Sequence, residues 1–264
     1  MEISFLIALV LLGLGGGFLS GLLGLGGAIF MIPLLLYIPP LLGMEHLDMK
    51  QVSAISMVQV LAASVSGLIV HHKNKLVSKS LLLYIGVFGA AGNLVGAVYS
   101  KHAKSEFLLA VFATLALISA VVMFVPKREQ GEELKPDEVK YNKPLAALIS
   151  LAVGGFAGMV GAGGAFMFIP IMIYLLNIPT RITIGSMLGI VFMSAIMGTI
   201  GKISTGQVIW PYAIALVAGA VPGAQMGGRV SKRVNTKNLR YAIAVIIVIT
   251  GIQMWRQVLS GLSH

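Results

Sequence analysis

Eight long apolar stretches separated by short polar loops make up most of this chain, and they limit what it can fold into. They cover residues 3–43, 52–70, 80–99, 107–125, 145–178, 182–201, 208–228 and 239–255. Most are 17–21 residues long, and a helix needs about 20 residues to cross roughly 30 Å of hydrocarbon. The alternating segments of ~10 residues that build a membrane β-barrel are absent from the sequence. The pattern predicts an all-α integral membrane protein.

Charge and composition support the same class. Only 11% of the residues are charged, against about 25% in soluble domains, so most of the outer surface must face a lipid bilayer. The net charge of +10 comes from Lys and Arg in short loops, which is the positive-inside pattern of membrane proteins rather than a sign of a nucleic-acid partner. The chain has no Cys, so thiolate chemistry is excluded, and no cofactor or metal is expected.

Two segments repeat each other without a gap. Residues 21–37 read GLLGLGGAIFMIPLLLY, and residues 158–174 read GMVGAGGAFMFIPIMIY. Further on, GAAGNLVGAVYSK (89–101) matches AVPGAQMGGRVSK (220–232). Matches in the same order indicate an internal duplication. We predict a first transmembrane repeat over 1–125, a charged solvated linker over 126–143, and a second transmembrane repeat over 144–264.

The first and fifth apolar stretches are too long for one crossing and carry G-x-G-G near their middle. We predict a glycine-broken, re-entrant helical hairpin in each half, followed by three transmembrane helices, with new helices starting near Ala28 and Ala165. A helix start leaves about four unpaired N–H groups and the positive end of the dipole. Two such starts at mid-membrane would bind an anion without a buried charge. The alternative is that these glycines only allow close helix packing, a role that suits Gly92, Gly96, Gly223 and Gly227.

Basic residues favour this hairpin topology. If all eight stretches crossed the membrane, the two sides would carry 10 and 9 basic residues. With re-entrant hairpins, five fall on one side and fourteen on the other, which predicts a cytoplasmic face for the larger group and inverted repeats. The five are Lys50, Lys101, Lys104, Lys202 and Arg256. Lys202 and Arg229 lie near the ends of apolar stretches, where they would either snorkel to the interface or draw anions to a cavity mouth.

Residues for catalysis are missing from the apolar stretches. They contain no Asp or Glu, which excludes carboxylate proton relays and cation sites in the membrane interior. No protease motif or Walker A sequence occurs, so we do not expect an enzyme. His71 and His72 are interpreted as a solvated pair rather than a metal site. The neutral polar residues Asn93 and Gln225 hold nearly equivalent places in the repeat, and a buried amide needs hydrogen-bond partners.

These observations place a candidate site between the two breaks. Backbone groups of the breaks and four neutral side chains are the expected contacts for a small anionic substrate. They are Gly24, Gly26, Gly27, Ala28, Gly161, Gly163, Gly164 and Ala165, together with Ser56, Asn93, Ser186 and Gln225.

The segments GLGGAIFMIP and GAGGAFMFIP, the two-half layout and the later small-residue run resemble the TauE/SafE family of membrane permeases. Members of that family are linked to movement of sulfur-containing anions such as sulfite and organosulfonates across bacterial membranes, often as export. The resemblance implies a secondary transporter for such an anion in the bacterial inner membrane. The rival interpretation is a membrane scaffold or assembly protein whose glycines serve packing alone. The sequence leaves a homodimer open.

Overall fold

The computed structural model describes residues 3–23, 27–71, 77–124, 136, 139, 141–230, 248, 251–256 and 258–259. Its helices are α1 (Ile3–Leu23), α2 (Ala28–Leu41), α3 (Met49–His71), α4 (Lys79–Tyr99), α5 (Ser105–Phe124), α6 (Lys143–Val160), α7 (Ala165–Leu175), α8 (Thr180–Ser204) and α9 (Trp210–Val230). Residues 251–256 are helical as well. No strand occurs within these ranges. The predicted contacts Gly24 and Gly26, residue His72 and most of the predicted linker lie outside the described residues.

Five of the helices are long and apolar enough to cross a membrane, namely α1, α3, α4, α6 and α8. At 1.5 Å per residue, the 21 residues of α1 extend about 31 Å. Large apolar side chains such as Leu11, Val95 and Leu148 point outward and are exposed, as expected where the surrounding medium is hydrocarbon. The prediction of a multi-pass helical membrane protein is confirmed.

Glycine stripes hold two pairs of helices in close contact. In α9, Gly219, Gly223 and Gly227 face Val10, Leu14 and Phe18 of α1 in the same order, so the two helices run in the same direction. A Cβ on Gly223 would lie 2.3 Å from the carbonyl oxygen of Leu14. The packing role predicted for these glycines is confirmed, because no larger residue fits at that separation.

The same contacts recur between α4 and α6. A Cβ on Gly92 would lie 2.0 Å from the carbonyl oxygen of Leu151, and one on Gly96 would lie 1.8 Å from that of Gly155. In the sequence repeat Gly92 matches Gly223, and Leu151 occupies the place of Leu14. The first helix of each predicted repeat therefore packs on the fourth helix of the other predicted repeat.

Helices α3 and α8 pack against each other between these two pairs. A Cβ on Gly67 of α3 would lie 3.0 Å from Leu188, and one on Gly198 of α8 would lie 2.6 Å from the terminal methyl of Met57. Both helices also contact the pairs on their flanks, since α4 packs on α8 and α9 packs on α3. The centre of α3 and α8 is thus the deepest part of the bundle.

The bundle has two ends that hydrogen bonds identify. At one end, called the Lys50 end, Lys50 Nζ donates to the carbonyl of Lys101, and the Tyr212 hydroxyl donates to Glu45. At the other, called the Lys143 end, the Ser78 amide donates to Ser186 Oγ, and the Lys143 ammonium lies 5.4 Å from the ring centre of Tyr84. The first residues of α3 lie at the Lys50 end, and those of α4, α6 and α8 lie at the Lys143 end.

Side-chain caps mark the starts of two helices, and two other helices contain π-helical segments. Asp48 and Gln51 form a reciprocal capping box at the start of α3, and Asn142 Oδ1 caps α6 by accepting the amide of Leu145. Pro170 in α7 has no N–H to donate to the carbonyl of Phe166. That carbonyl accepts the Ser119 hydroxyl of α5 instead. Helix α7 then continues as a π-helical segment over Ile171–Leu175, and α4 contains another over Leu82–Val87.

Candidate functional site

The second glycine break separates α6 from α7. Helix α6 ends at Val160, and Gly161, Gly163 and Gly164 have φ of 76°, 64° and 86°. These are left-handed values that a residue with a Cβ adopts at a cost. Helix α7 begins at Ala165, so the start predicted from the sequence is confirmed. The helix break itself is also confirmed.

The start of α7 keeps backbone donors free. The carbonyl of Gly164 accepts the amides of Met167 and Phe168. Within the part of the chain that the structure describes, the amides of Gly164, Ala165 and Phe166 donate no hydrogen bond. All three residues are buried. Unpaired N–H groups at a helix start carry the positive end of the helix dipole, and they attract an acceptor with negative charge.

This start lies against the middle of the two central helices. A Cβ on Gly163 would lie 2.7 Å from Val60 Cγ1 and 3.6 Å from Val191 Cγ1, and these valines stand near the midpoints of α3 and α8. Gly161 lies against the backbone of Ser53, whose carbonyl oxygen would be 1.9 Å from an added Cβ. The break therefore runs from Ser53 to the middle of the bundle.

The first break is built in the same way where it is described. Gly27 has φ of 69°, α2 begins at Ala28, and the Gly27 carbonyl accepts the amides of Phe30 and Met31. The predicted start is confirmed here too. Gly27 faces Ser20, just as Gly164 faces Ala157, the residue that matches Ser20 in the sequence repeat.

Two of the expected side chains, Ser56 and Asn93, are fully buried and lack protein partners. Ser56 Oγ and both polar atoms of the Asn93 side chain have no hydrogen bond within the described residues, and the same holds for Gln59 and Ser194. The Asn93 backbone packs against Gly158, and its Oδ1 lies toward Gly198. Buried polar atoms are normally paired. An unpaired set in one bundle is therefore a place where a polar ligand would gain hydrogen bonds.

The other two expected side chains do not join this group. Ser186 is buried, and its Oγ accepts the amide of Ser78 at the Lys143 end. Gln225 is exposed, so the expectation of a buried amide there is wrong. The buried stripe of α9 includes Gly223, and Gln225 follows two residues later, about 200° around the helix. The residue that packs as Asn93 does is Ala224, which lies against Gly21.

Lys202 is the residue whose position the sequence did not reveal. It is fully buried, with 0% exposure, so the snorkelling interpretation is wrong for it. Its Nζ donates to Ser100 Oγ at 2.6 Å, Ser53 Oγ at 2.9 Å, Gln207 Oε1 at 3.2 Å and the Met159 carbonyl at 3.3 Å. These acceptors lie in α3, just after α4, in α6 and in the segment after α8, so no local sequence pattern predicts the site. Arg229 is exposed near the end of α9.

The model of one family, described as sulfite exporter TauE/SafE, matches residues 9–254. The chain belongs to the TauE/SafE family. The resemblance seen in the glycine segments is thereby confirmed.

Relatives of this TauE/SafE protein carry names of the same kind. The probable membrane transporter protein YunE of Bacillus subtilis (strain 168) is 27% identical over 95% of this chain and 97% of its own length. The probable membrane transporter protein YjnA of the same strain is 26% identical over 94% of this chain and 99% of its own length. The probable membrane transporter protein MJ0441 of Methanocaldococcus jannaschii is 22% identical over 96% and 98%. No solved structure matches the chain.

Proposed function

We propose that this TauE/SafE protein is a secondary transporter that moves a small sulfur-containing oxyanion, such as sulfite or an organosulfonate, across the bacterial inner membrane. The observation that carries the proposal is the buried start of α7, whose amides at Gly164, Ala165 and Phe166 donate no hydrogen bond to any residue that the structure describes. The matching start of α2 at Ala28 supports a second set of donors. The family description, sulfite exporter, supports the choice of anion.

The chemistry of the site suits such an anion. Each oxygen of a sulfite or sulfonate group accepts hydrogen bonds, and N–H groups at a helix start point toward it. Ser56 and the Asn93 amide are proposed to add neutral donors, since neither has a hydrogen-bond partner among the described residues. The backbone of Gly24, Gly26 and Gly27 is proposed to complete the site from the other half.

Alternating access is proposed to come from inverted repeats. The parallel pairing of α1 with α9 and of α6 with α4 supports this arrangement, because α9 begins at the Lys50 end and α4 at the Lys143 end. Phe5 stacks edge-on against Tyr212 at 5.0 Å, which supports a start of α1 at the Lys50 end. Each hairpin would then enter and return at one end, with the two hairpins entering from opposite ends. Rocking of the halves would expose the site to each side in turn.

The scaffold alternative accounts less well for the unpaired groups. In a scaffold protein with no ligand, the polar atoms of Ser56, Gln59 and Asn93, which have no partner among the described residues, would lower stability without any compensating function. Packing glycines are present at Gly92 and Gly223, but they lie in helices that remain unbroken. A transport site gives the buried donors a use.

Transport into proteoliposomes tests the proposal. Purified protein is reconstituted, and uptake of radiolabelled sulfite is measured against protein-free liposomes, with unlabelled sulfite, an organosulfonate and sulfate as competitors. We expect saturable uptake that sulfite and the organosulfonate inhibit more strongly than sulfate does. A matched control is Gly15→Ala, since an added Cβ there meets nothing within 4 Å. Uptake no greater than in protein-free liposomes for every anion would contradict the proposal.

A further inference from the structure

The Lys202 ammonium group is fully buried, and no carboxylate of the described residues contacts it. Within the described residues its Nζ bonds only to neutral oxygens, those of Ser53, Ser100, Gln207 and Met159. Removing an ammonium from water costs several kcal/mol even after relaxation, and neutral hydroxyls return only part of that cost. An ionisable residue kept inside a membrane bundle usually serves the transported species.

The acidic residues described at the same end, Glu45, Asp48 and Glu106, make no hydrogen bond with the Lys202 ammonium. Glu45 accepts the Tyr212 hydroxyl, and Asp48 caps the start of α3 by accepting the Gln51 amide. The other charge that acts on Lys202 is Lys50, which is also positive. An incoming anion would therefore be the first negatively charged group to contact the ammonium, and it would gain energy there.

The hydrogen bonds of Lys202 tie the Lys50 end together. Ser53 lies near the start of α3, Ser100 follows α4, and the Met159 carbonyl belongs to the last turn of α6. Ser100 Oγ also donates to the Ala97 carbonyl, and Gln207 Nε2 donates to the same carbonyl. Ser53 Oγ donates to the Lys50 carbonyl. Both hydroxyls thus keep a donor bond of their own and offer lone pairs to the ammonium.

Lys202 also lies next to the proposed anion site. Ser53, which binds its Nζ, has its carbonyl against Gly161 of the second break. Gly198, one turn earlier on α8, lies against the Asn93 side chain. Side chains on a helix tilt toward its N-terminus, so a lysine released from Ser53 and Ser100 turns toward Gly198 and Asn93.

We propose that Lys202 is the counter-charge of the transported anion and that its bonds to Ser53 and Ser100 latch the Lys50 end while the site is empty. The inference rests on the proposed function and adds to it the residue that supplies the charge. An anion entering the break draws the ammonium away from the two hydroxyls. The tie among α3, α4, α6 and α8 is then lost, and the Lys50 end is free to open. Binding and opening are coupled because one ammonium cannot serve both sets of partners.

Binding of sulfite to purified protein in detergent, measured together with thermal stability, tests the inference. Lys202→Met keeps the length of the side chain and removes its charge. We expect it to lower sulfite affinity by at least about tenfold, because the complex loses its ion pair. Stability should hold or rise, because the resting hydrogen bonds of the ammonium are lost together with the cost of burying its charge. Lys202→Arg should retain part of the affinity. The control Lys50→Met removes a charge at the same end, and at high salt it should leave affinity near that of the wild type.

The proposed latch predicts that replacing Ser100 changes sulfite affinity in the direction opposite to replacing Lys202. Ser100→Ala weakens the resting hold on the ammonium, so the anion competes more easily and affinity should rise by roughly threefold, even as stability falls. A purely structural lysine predicts that Lys202→Met and Ser100→Ala change affinity in the same direction, following stability, and that result would overturn the inference. If Lys202→Met does not fold, the sign of the Ser100→Ala effect still decides.

The outcomes separate the two proposals. Sulfite binding by the wild type that persists unchanged in Lys202→Met overturns the counter-charge and leaves the transport proposal standing. Failure of the wild type to bind sulfite or a sulfonate overturns the choice of anion, and the counter-charge with it.

Discussion

The backbone carbonyl of Asn93 lies against Gly158, which places the Asn93 side chain among α4, α6 and α8 with its Oδ1 toward Gly198. Between α1 and α9, Gly21 lies against the backbone carbonyl of Ala224 in the same way. The two matching segments thus provide equivalent places for a small residue. One of these places holds an amide that has no hydrogen-bond partner among the described residues. A buried amide of this kind is costly to keep. Its retention is most easily understood if a ligand uses it.

This relationship predicts the behaviour of Asn93→Ala, which makes the first half resemble the second. Removing an unpaired buried amide should leave the melting temperature unchanged or raise it, because no protein hydrogen bond is lost. Sulfite affinity should fall by roughly tenfold, as expected when a hydrogen bond worth about 1.4 kcal/mol is lost. Differential scanning fluorimetry and a binding titration on the same preparation measure both quantities.

Ser64→Ala is the matched control for Asn93→Ala. Ser64 is also buried and neutral, but its hydroxyl donates to the Leu61 carbonyl of its own helix. We expect no change in sulfite affinity for this variant. If Asn93→Ala lowered stability and left affinity intact, the amide would be structural and the site as proposed would lose one of its donors.

The packing glycines give a prediction about stability alone. Gly92→Ala places a Cβ 2.0 Å from the Leu151 carbonyl oxygen, so α4 and α6 must separate, at a cost of about 1–3 kcal/mol. Gly155→Ala on the facing helix is the control, since its Cβ would meet the nearest atom at 3.8 Å. Alanine should there be neutral or stabilise the helix by up to about 1 kcal/mol. Thermal unfolding in detergent distinguishes the two variants. An equal loss of stability in both would show that the contact between α4 and α6 is less tight than described.

The breaks and the packing stripes could be predicted from the sequence because each depends on local composition. The doubled glycines before Ala28 and Ala165 mark a helix start whatever surrounds them, and glycines spaced four apart, such as Gly92 and Gly96, mark a packing stripe. Burial of single polar residues could not be predicted in the same way. The hydrogen-bond partners of Lys202 come from several helices. Gln225 faces outward because the inner face of α9 is occupied by its glycines. Both depend on which helices pack together.

The π-helical segments could not be predicted from the sequence either. Leu82–Val87 is an apolar run with no Pro, and hydrophobicity does not distinguish i+5 from i+4 hydrogen bonding. The segment Ile171–Leu175 follows Pro170, which predicts a disturbed helix without telling how it is disturbed. Loss of the Pro170 donor explains why Ser119 supplies a bond to Phe166.

The charge distribution predicts orientation, which single cysteines can measure because the chain has none of its own. Ser78 and Ser100 mark the two ends but are fully buried. Their neighbours Val77 and His102 are exposed and make better labelling sites. In intact cells we expect a membrane-impermeant maleimide to label His102→Cys and to label Val77→Cys only after permeabilisation. The reverse pattern would place the Lys50 end in the cytoplasm and contradict the fourteen-to-five division of basic residues.

The last prediction separates the strain of a left-handed glycine from the use of the break as a binding site. Gly163 and Gly43 have similar φ, 64° and 70°, so alanine at either position costs about 1 kcal/mol through the backbone. Gly43 lies in the turn after α2, where an added Cβ meets nothing within 4 Å. At Gly163 the Cβ would meet Val60 Cγ1 at 2.7 Å in the middle of the bundle. Gly163→Ala should therefore be somewhat less stable than Gly43→Ala, and it alone should weaken sulfite binding in the protein that remains folded.

A double variant, Gly163→Ala with Val60→Ala, gives the new methyl group room. Its sulfite affinity should stay low if the methyl group obstructs the anion. Recovery of full affinity in the double variant would mean that Gly163 serves packing against Val60 and that the anion binds elsewhere.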